Sequence, residues 1–366
     1  MPQAKADAEA ALRIARAGRL DLHDILMHLR IIATLTGSLR ELVAISEEVI
    51  GNVDGSQRGR LFAPLSMLAF NLANTGDEVA ARRYLGTANA LLAESRNWQG
   101  GRAFHTWGGI WEGQVMMGRA AIDQSIGSYG EAEAEMREGI ARIEEFLKTP
   151  AGQELMSRRS TPNIPNIYRG GPFVNLLVRR GRLAEAEAMS RQAVSTALRE
   201  DGRYHATTAF LMTSLARVIL EQGRFVEGER LARTTLETYR AIGASADSWR
   251  AGEAQALLAD ALASQDRWKE TLAVFEEMER GFAGYADGLD RFVRNRPTRA
   301  LALLMTGRAQ DAVAALRPLV ERHEANLGRT HYVTAETKGL YGLALAAAGR
   351  RSEAMTQFRA AVSVLT

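Results

Sequence analysis

The sequence predicts an all-α fold, a right-handed superhelical solenoid of about eight antiparallel helix pairs. One observation is a turn residue that recurs between apolar helical runs: Gly37, Gly76, Gly127, Gly181, Gly223, Asp266, Gly307 and Gly349. Another is the residue five positions after each turn: Leu42, Ala81, Ala132, Ala186, Gly228, Thr271, Ala312 and Ala354. Most of these are Ala or Gly, which allow two helices to cross closely. Glycine at the turn permits the left-handed backbone that ends a helix before the chain reverses.

The last unit, residues 339–364, shows the pattern most plainly. It places Tyr341, Gly342 and Leu345 before the turn and Ala354, Phe358 and Ala361 after it. This arrangement of bulky and small residues resembles the tetratricopeptide (TPR) helix pair. The regular turns lie 41 to 43 residues apart, and about one extra helical turn per helix accounts for the excess over the ~34 residues of a standard TPR.

Repeats of this length resemble the kinesin light chain type of TPR. The segment before the last unit has that type's residues at the expected places: Leu327, Gly328, His331, Thr334 and Ala335. Tyr332 stands where that type usually has proline.

Two segments break the period. Residues 97–113 are rich in Trp and Gly and contain Trp98, Trp107 and Trp111, whereas residues 148–172 contain four of the eight prolines and Tyr168. A segment with this many prolines is not expected to form one continuous helix. We therefore expect N-terminal helix pairs in 1–147 with an insertion at 97–113, an irregular connection at 148–172, and regular repeats in 173–366. The insertion either fills a core defect or contacts a partner.

Composition and motifs argue against several functional classes. No apolar run approaches the ~18 residues of a membrane span, and the N-terminus lacks a signal peptide, so we expect a cytoplasmic protein. The net charge of +3 comes from interleaved acidic and basic residues, which is typical of solvated helices and argues against nucleic acid as a partner. The chain has no cysteine, no phosphate-binding loop and no zinc-protease motif. We therefore expect neither cofactor, metal nor catalysis, and an enzyme built on the repeat scaffold is the weakest alternative.

The first helix of each pair should line a concave groove in such an array. Two sets of residues are expected to bind a partner there: Phe70, Asn71, Asn175, Arg217 and Asp260 beside the small first-helix residue, and Arg294, Asn295 and Arg299 at the start of another first helix. Asparagine can pair with a peptide backbone, and arginine can grip a carboxylate. The alternative for each is helix capping or an ion pair at the rim.

The arginine-rich repeats, such as residues 292–316, resemble the TPR region that precedes caspase-like CHAT protease domains in bacterial proteins. The resemblance implies a non-catalytic protein-interaction and regulatory module, the N-terminal scaffold of a larger protease that continues after Thr366. Its partner would be another protein or peptide, including a protease domain in cis. The alternative is a ligand- or peptide-sensing module of a bacterial signalling or transcription regulator.

Overall fold

The computed structural model describes residues 2–18, 20–52, 58–59, 61–75, 77–95, 102–157 and 163–365. Within these ranges every regular element is helical. The helices are α1 (Pro2–Gly18), α2 (His23–Thr36), α3 (Leu39–Asn52), α4 (Phe62–Thr75), α5 (Glu78–Ser95), α6 (Arg102–Ser125), α7 (Tyr129–Leu147), α8 (Pro150–Ser157), α9 (Ile164–Tyr168), α10 (Val174–Arg179), α11 (Leu183–Glu200), α12 (Ala206–Glu221), α13 (Phe225–Ala241), α14 (Trp249–Ala263), α15 (Trp268–Gly281), α16 (Ala286–Leu289), α17 (Pro297–Met305), α18 (Ala309–Leu327), α19 (Tyr332–Ala347) and α20 (Arg351–Leu365). Two π-helical segments, Arg169–Phe173 and Asp290–Arg294, precede α10 and α17.

The predicted turns separate consecutive helices throughout the described ranges, and Gly76 lies outside them. Six of the turn residues have φ between 57° and 85°, namely Gly127, Gly181, Gly223, Asp266, Gly307 and Gly349. This is the left-handed conformation, which glycine and aspartate tolerate best. The predicted helix pairs and their register are therefore confirmed.

Gly37 is the exception, because its φ is −90° and its backbone is extended. The end of α2 is held in another way: the carbonyl of Thr36 accepts hydrogen bonds from the backbone N (2.9 Å) and the Oγ (3.0 Å) of Ser245. A distant residue thus satisfies the carbonyl that a left-handed turn would otherwise help to satisfy.

The residue five positions after each turn is buried in all eight pairs, as the prediction requires. Ala81, Ala132, Ala186 and Ala312 are fully inaccessible to solvent. A larger side chain at these crossings would have to displace a neighbouring helix, since protein interiors leave few voids.

An arginine directly follows five of the turns and pairs with an acidic residue three positions later. The pairs are Arg182–Glu185, Arg224–Glu227, Arg267–Glu270, Arg308–Asp311 and Arg350–Glu353. The sequence analysis did not predict this motif, although its spacing is visible in the sequence. The motif brings a cation and an anion together in the first turn of each second helix.

In two places the same arginine also reaches a glutamate of the preceding helix pair. Arg182 lies 2.7 Å from Glu133, and Arg267 lies 2.6 Å from Glu229. The two glutamates have only 10% and 11% of their side chains exposed, and each also pairs with an arginine four residues later on its own helix. These glutamate–arginine clusters tie consecutive pairs together.

Hydrogen bonding sets the charge state of these glutamates. Burial by itself would raise the pKa of Glu229, but hydrogen bonds from Gln265, Arg233 and Arg267 outweigh burial and lower the pKa below its ordinary value. Burial and hydrogen bonds from Arg137 and Arg182 act in the same opposing directions on Glu133, and its pKa is also lowered. Both carboxylates are therefore ionised at neutral pH.

The described chain divides into two compact units. Unit 1 comprises Met1–Gln222 and Glu237–Ser245, and unit 2 comprises Gly223–Leu236 and Ala246–Thr366. An apolar cluster joins both sides of segment 148–172, since Met117 and Ile140 pack with Phe173 and Leu177. The expected division at this segment stays a prediction.

The expected insertion at 97–113 is helical from residue 102 onward, because it forms the first half of α6. Trp111 is 7% exposed, and its ring stacks on Phe62 with the ring centroids 4.2 Å apart. Trp111 therefore fills the core of unit 1, as one of the two alternatives proposed. Trp98 and the side chain of Trp107 lie outside the described part of the structure.

The proline-rich segment 148–172 is also largely helical where it is described, in contrast to the expected irregular connection. Pro172 is accommodated in the π-helical segment that precedes α10. The glycines before it allow close packing: a Cβ on Gly170 would lie 2.3 Å from Cβ of Ala193, and a Cβ on Gly171 would lie 2.4 Å from the ring of Phe210. Among the helices described, none is long and apolar enough to cross a membrane.

Replacing Ala186 with leucine should overpack the crossing after Gly181 and lower the free energy of unfolding by about 1–3 kcal/mol. The exposed Ala188 on the same helix is the matched control, and its replacement with leucine should leave stability nearly unchanged. Urea unfolding followed by circular dichroism measures both. Equal stabilities of the two variants would contradict the register.

Replacing Glu229 with glutamine should lower the free energy of unfolding by about 1–3 kcal/mol at pH 7, because the arginines around it lose the carboxylate charge and one of its two acceptor oxygens. Since the folded-state pKa of Glu229 is lowered, its contribution is complete above the unfolded pKa of about 4.3 and is lost as the pH falls through the folded value. The difference between wild type and Glu229→Gln should therefore shrink below about pH 4. Glu276→Gln, at an exposed position, is the control, and a difference that stays constant down to pH 3 would refute the assignment.

Candidate functional site

The residues predicted to line the groove are divided between the two units. Unit 1 contains Phe70 and Asn71 on α4, Asn175 on α10 and Arg217 on α12. Unit 2 contains Asp260, Arg294, Asn295 and Arg299. Each set is described within its own unit.

Two of the predicted site residues meet in unit 1. The rings of Phe70 and Tyr168 contact each other edge to face, with their centroids 6.1 Å apart and their planes at 73°. Both side chains are partly buried and pack against the cluster that contains Phe173 and Val174. Burial raises the pKa of Tyr168 above its ordinary value, so its phenol stays protonated and can donate a hydrogen bond.

Two asparagines of unit 1 carry buried polar atoms that no hydrogen bond satisfies. Asn71 is 1% exposed, and its Nδ2 has no partner among the described residues. The Oδ1 of Asn175 is likewise buried without a partner there, and its neighbours Val174 and Leu176 belong to the cluster against which Phe70 and Tyr168 pack. An unsatisfied buried donor or acceptor costs about 1–3 kcal/mol. Among the described residues, the amide nitrogen of Asn71 and the amide oxygen of Asn175 are therefore left without hydrogen-bond partners in the interior of unit 1.

Arg217 lies on a helix that is buried along most of its length, since nearly every residue of α12 from Ala206 to Ile219 is inaccessible. A helix covered on all sides packs against neighbours on its groove side as well. Arg217 itself is partly buried and engaged with other groups of the protein.

The four predicted residues of unit 2 make contacts within that unit. Asp260 accepts a hydrogen bond from Thr298 (2.7 Å) and pairs with Arg296 (3.2 Å). The remaining contacts are Arg294–Asp290 at 3.0 Å, Arg299–Glu279 at 2.6 Å, and a hydrogen bond from Arg322 to Asn295. These contacts correspond to the ion-pair alternative, and a role in partner binding stays a prediction.

The sequence analysis did not identify Arg30, which lies seven residues before Gly37. The equivalent positions before the other turns are occupied by small or β-branched residues, all buried: Ala69, Ala120, Val174, Ala216, Ala259, Ala300 and Gly342. Arg30 could have been found from the sequence, because it is a charged residue at a repeat position that small or β-branched apolar residues occupy in the other helix pairs. In the described ranges, no three His, Asp or Glu side chains are placed to hold a metal ion.

Comparisons with known proteins bear on the fold. No family model matches the chain, and no curated protein is significantly similar to it. Among solved structures, a Rap protein in complex with Competence and Sporulation Factor is 11% identical, with 94% of this chain and 85% of that chain covered at a TM-score of 0.58.

Two further structures have long repeats. A putative kinesin light chain from Podosopora anserina, with nearly identical TPR-like repeats, is 19% identical over 56% of this chain and 97% of its own (TM-score 0.43). BtubC from P. vanneervenii is 18% identical over 77% of this chain and 90% of its own (TM-score 0.40). The likeness to Rap, together with the observed register, shows that the fold is that of TPR-like helical-repeat proteins. At this identity the likeness concerns the fold alone.

Proposed function

We propose that the chain is a peptide-binding repeat module and that unit 1 holds the binding site on its first helices. The observation that carries the proposal is the pair of unsatisfied amide atoms, Nδ2 of Asn71 and Oδ1 of Asn175, in the unit that also contains the Phe70–Tyr168 aromatic pair. Burying polar atoms without partners lowers the stability of the folded chain. A ligand that supplies the partners explains why they persist.

A peptide backbone has the complementary chemistry. Each peptide unit offers one carbonyl acceptor and one N–H donor, which match the free donor of Asn71 and the free acceptor of Asn175. The faces and edges of Phe70 and Tyr168 offer apolar surface for a side chain of the same peptide. The site would therefore bind the peptide backbone through the two asparagine amides and one peptide side chain through contact with the aromatic rings.

The fold comparison supports a binding role. The Rap structure, which shares the fold over nearly all of this chain, is a complex with Competence and Sporulation Factor. The Rap complex is thus a precedent for a module of this fold that binds a factor. It favours the alternative function considered from the sequence, a ligand- or peptide-sensing module of a bacterial regulator. In this proposal the array binds its ligand in the cytoplasm and carries no catalysis of its own.

A scaffold for a protease domain in cis is the second candidate. It rests on the resemblance of residues 292–316 to the repeats that precede CHAT domains. A domain with catalytic histidine and cysteine, encoded directly after Thr366, would support it. A DNA-binding domain at that place would favour the sensor.

The proposal is tested by panning a phage-displayed library of random dodecapeptides against the purified chain, then measuring the selected peptides by fluorescence anisotropy. The double variant Asn71→Leu/Asn175→Leu should bind them at least about tenfold more weakly, because the loss of two hydrogen bonds at ~1 kcal/mol each exceeds 1.4 kcal/mol. Its thermal stability should be equal or higher, since apolar groups of similar size replace unsatisfied polar ones.

Asn74→Leu on the same helix is the control, because Asn74 is exposed and its amide already donates to the carbonyl of Phe70. It should bind the selected peptides like the wild type. Failure to enrich any peptide, or equal binding by the double variant, would refute the proposed site.

A further inference from the structure

Arg30 is a buried cation in unit 1. It lies on α2, only 4% of it is exposed, and it occupies the position that is small and apolar in the other helix pairs. The guanidinium donates from Nη1 to the Sδ of Met67 on α4 at 2.9 Å, and its Nε has no partner among the described residues. A thioether is only a weak acceptor. Arg30 therefore lacks the strong acceptor that a buried guanidinium needs.

Electrostatics points the same way. Burial lowers the pKa of Arg30 to about 10, whereas the arginines of the glutamate–arginine clusters, such as Arg182 and Arg267, have their pKa raised by hydrogen bonds to carboxylates. A buried charge without a counter-charge is strongly unfavourable. The chain supplies carboxylates to its other inter-repeat arginines, and at Arg30 it supplies methionine.

A second unsatisfied donor lies on the same helix as this methionine. Asn71 follows Met67 by four residues on α4, one helical turn, so both side chains lie on one face of that helix. The amide of Asn71 has two N–H groups, and its nitrogen has no described partner. The helix face that carries Met67, the one acceptor of the Arg30 side chain among the described residues, thus also carries an unsatisfied donor.

Met67 can make room for an acceptor. It is partly exposed, and its unbranched side chain has three rotatable bonds that adapt readily to a new neighbour. Its movement would open Arg30 to a group entering from the surface. The planar guanidinium has the geometry to bind two oxygens of a carboxylate or phosphate.

We propose that Arg30 and Asn71 form a binding site for a small oxyanion, a carboxylate or phosphate group, which replaces the thioether of Met67 as the acceptor. The group is either a free anion or the terminal carboxylate of a peptide. The site goes beyond the proposed peptide-binding function, which needs only the amides of Asn71 and Asn175. The amide of Asn71 has two N–H groups, so one can donate to the peptide and the other to the oxyanion.

Thermal unfolding of the full chain tests the site, with sodium acetate, sodium phosphate, N-acetylglycine or N-acetylglycinamide added at equal ionic strength against sodium chloride. An oxyanion that binds should raise the Tm of the wild type by roughly 2–4 °C over chloride. Arg30→Met should show no such rise, and its Tm in chloride should equal or exceed that of the wild type, since a buried unpaired charge has been replaced by an apolar side chain. Arg13→Met, at an exposed arginine of α1, should respond like the wild type.

The additives separate the two sources of the oxyanion. A rise with acetate or phosphate assigns the site to free anions, and a rise with N-acetylglycine alone assigns it to a peptide terminus. N-acetylglycinamide lacks the carboxylate and should have no effect in either case. The proposal is overturned if the wild type shows no rise with any oxyanion, or if Arg30→Met shows the same rise.

Arg30→Lys covers the case in which Arg30→Met does not fold. It keeps the charge but loses the planar pair of donors, so it should show a smaller rise than the wild type. A full rise in Arg30→Lys would overturn the bidentate site. The peptide selection described above is done in sodium chloride without added oxyanion. Its result therefore does not decide the result of the thermal-unfolding test.

Discussion

The close crossing of two helices, five residues after each turn, is the contact on which the fold depends. Fully buried alanines such as Ala132, Ala186 and Ala312 leave no room for the second helix to slide or rotate. The first helix must therefore end at a fixed residue, and at six of the turns a residue in the left-handed conformation supplies that ending. Local turn geometry and helix packing support the same register, which is the consistency expected of a sequence that specifies one fold.

Fixed crossings also fix the polar contacts. Because each second helix starts directly after its turn, the arginine that follows five of the turns meets the acidic residue three positions later. Where the preceding helix carries Glu133 or Glu229, the same arginine spans the two pairs. An arginine already held by one carboxylate loses less side-chain entropy on reaching a second. The charged clusters are thus a consequence of the packing register, and they add specificity between neighbouring pairs.

The sequence was sufficient to predict those features that depend on local signals. The turn at Asp266 was predicted from spacing alone and has φ 57°. Gly37 departs from the pattern because the last carbonyl of its helix, that of Thr36, accepts hydrogen bonds from Ser245, more than two hundred residues away. No local feature of the sequence predicts such a contact. The partners of Asp260 and Arg299 likewise come from neighbouring helices. Periodicity places these residues on a helix face but does not show which donors stand opposite.

The proposed site in unit 1 rests on the contrast between satisfied and unsatisfied polar groups. The chain satisfies the buried carboxylate of Glu133 with several arginines, so it is able to provide partners for polar groups that serve folding. On α2, α4 and α10, Arg30, Asn71 and Asn175 each have an atom without a hydrogen-bond partner in the part of the chain that the structure describes. Apolar residues at these positions would be more favourable for folding alone. Buried polar atoms without partners also occur on second helices of this unit, as at Ser46 and Ser190. What distinguishes Arg30, Asn71 and Asn175 is that they carry a charge or an amide, so their burial without a partner costs the most.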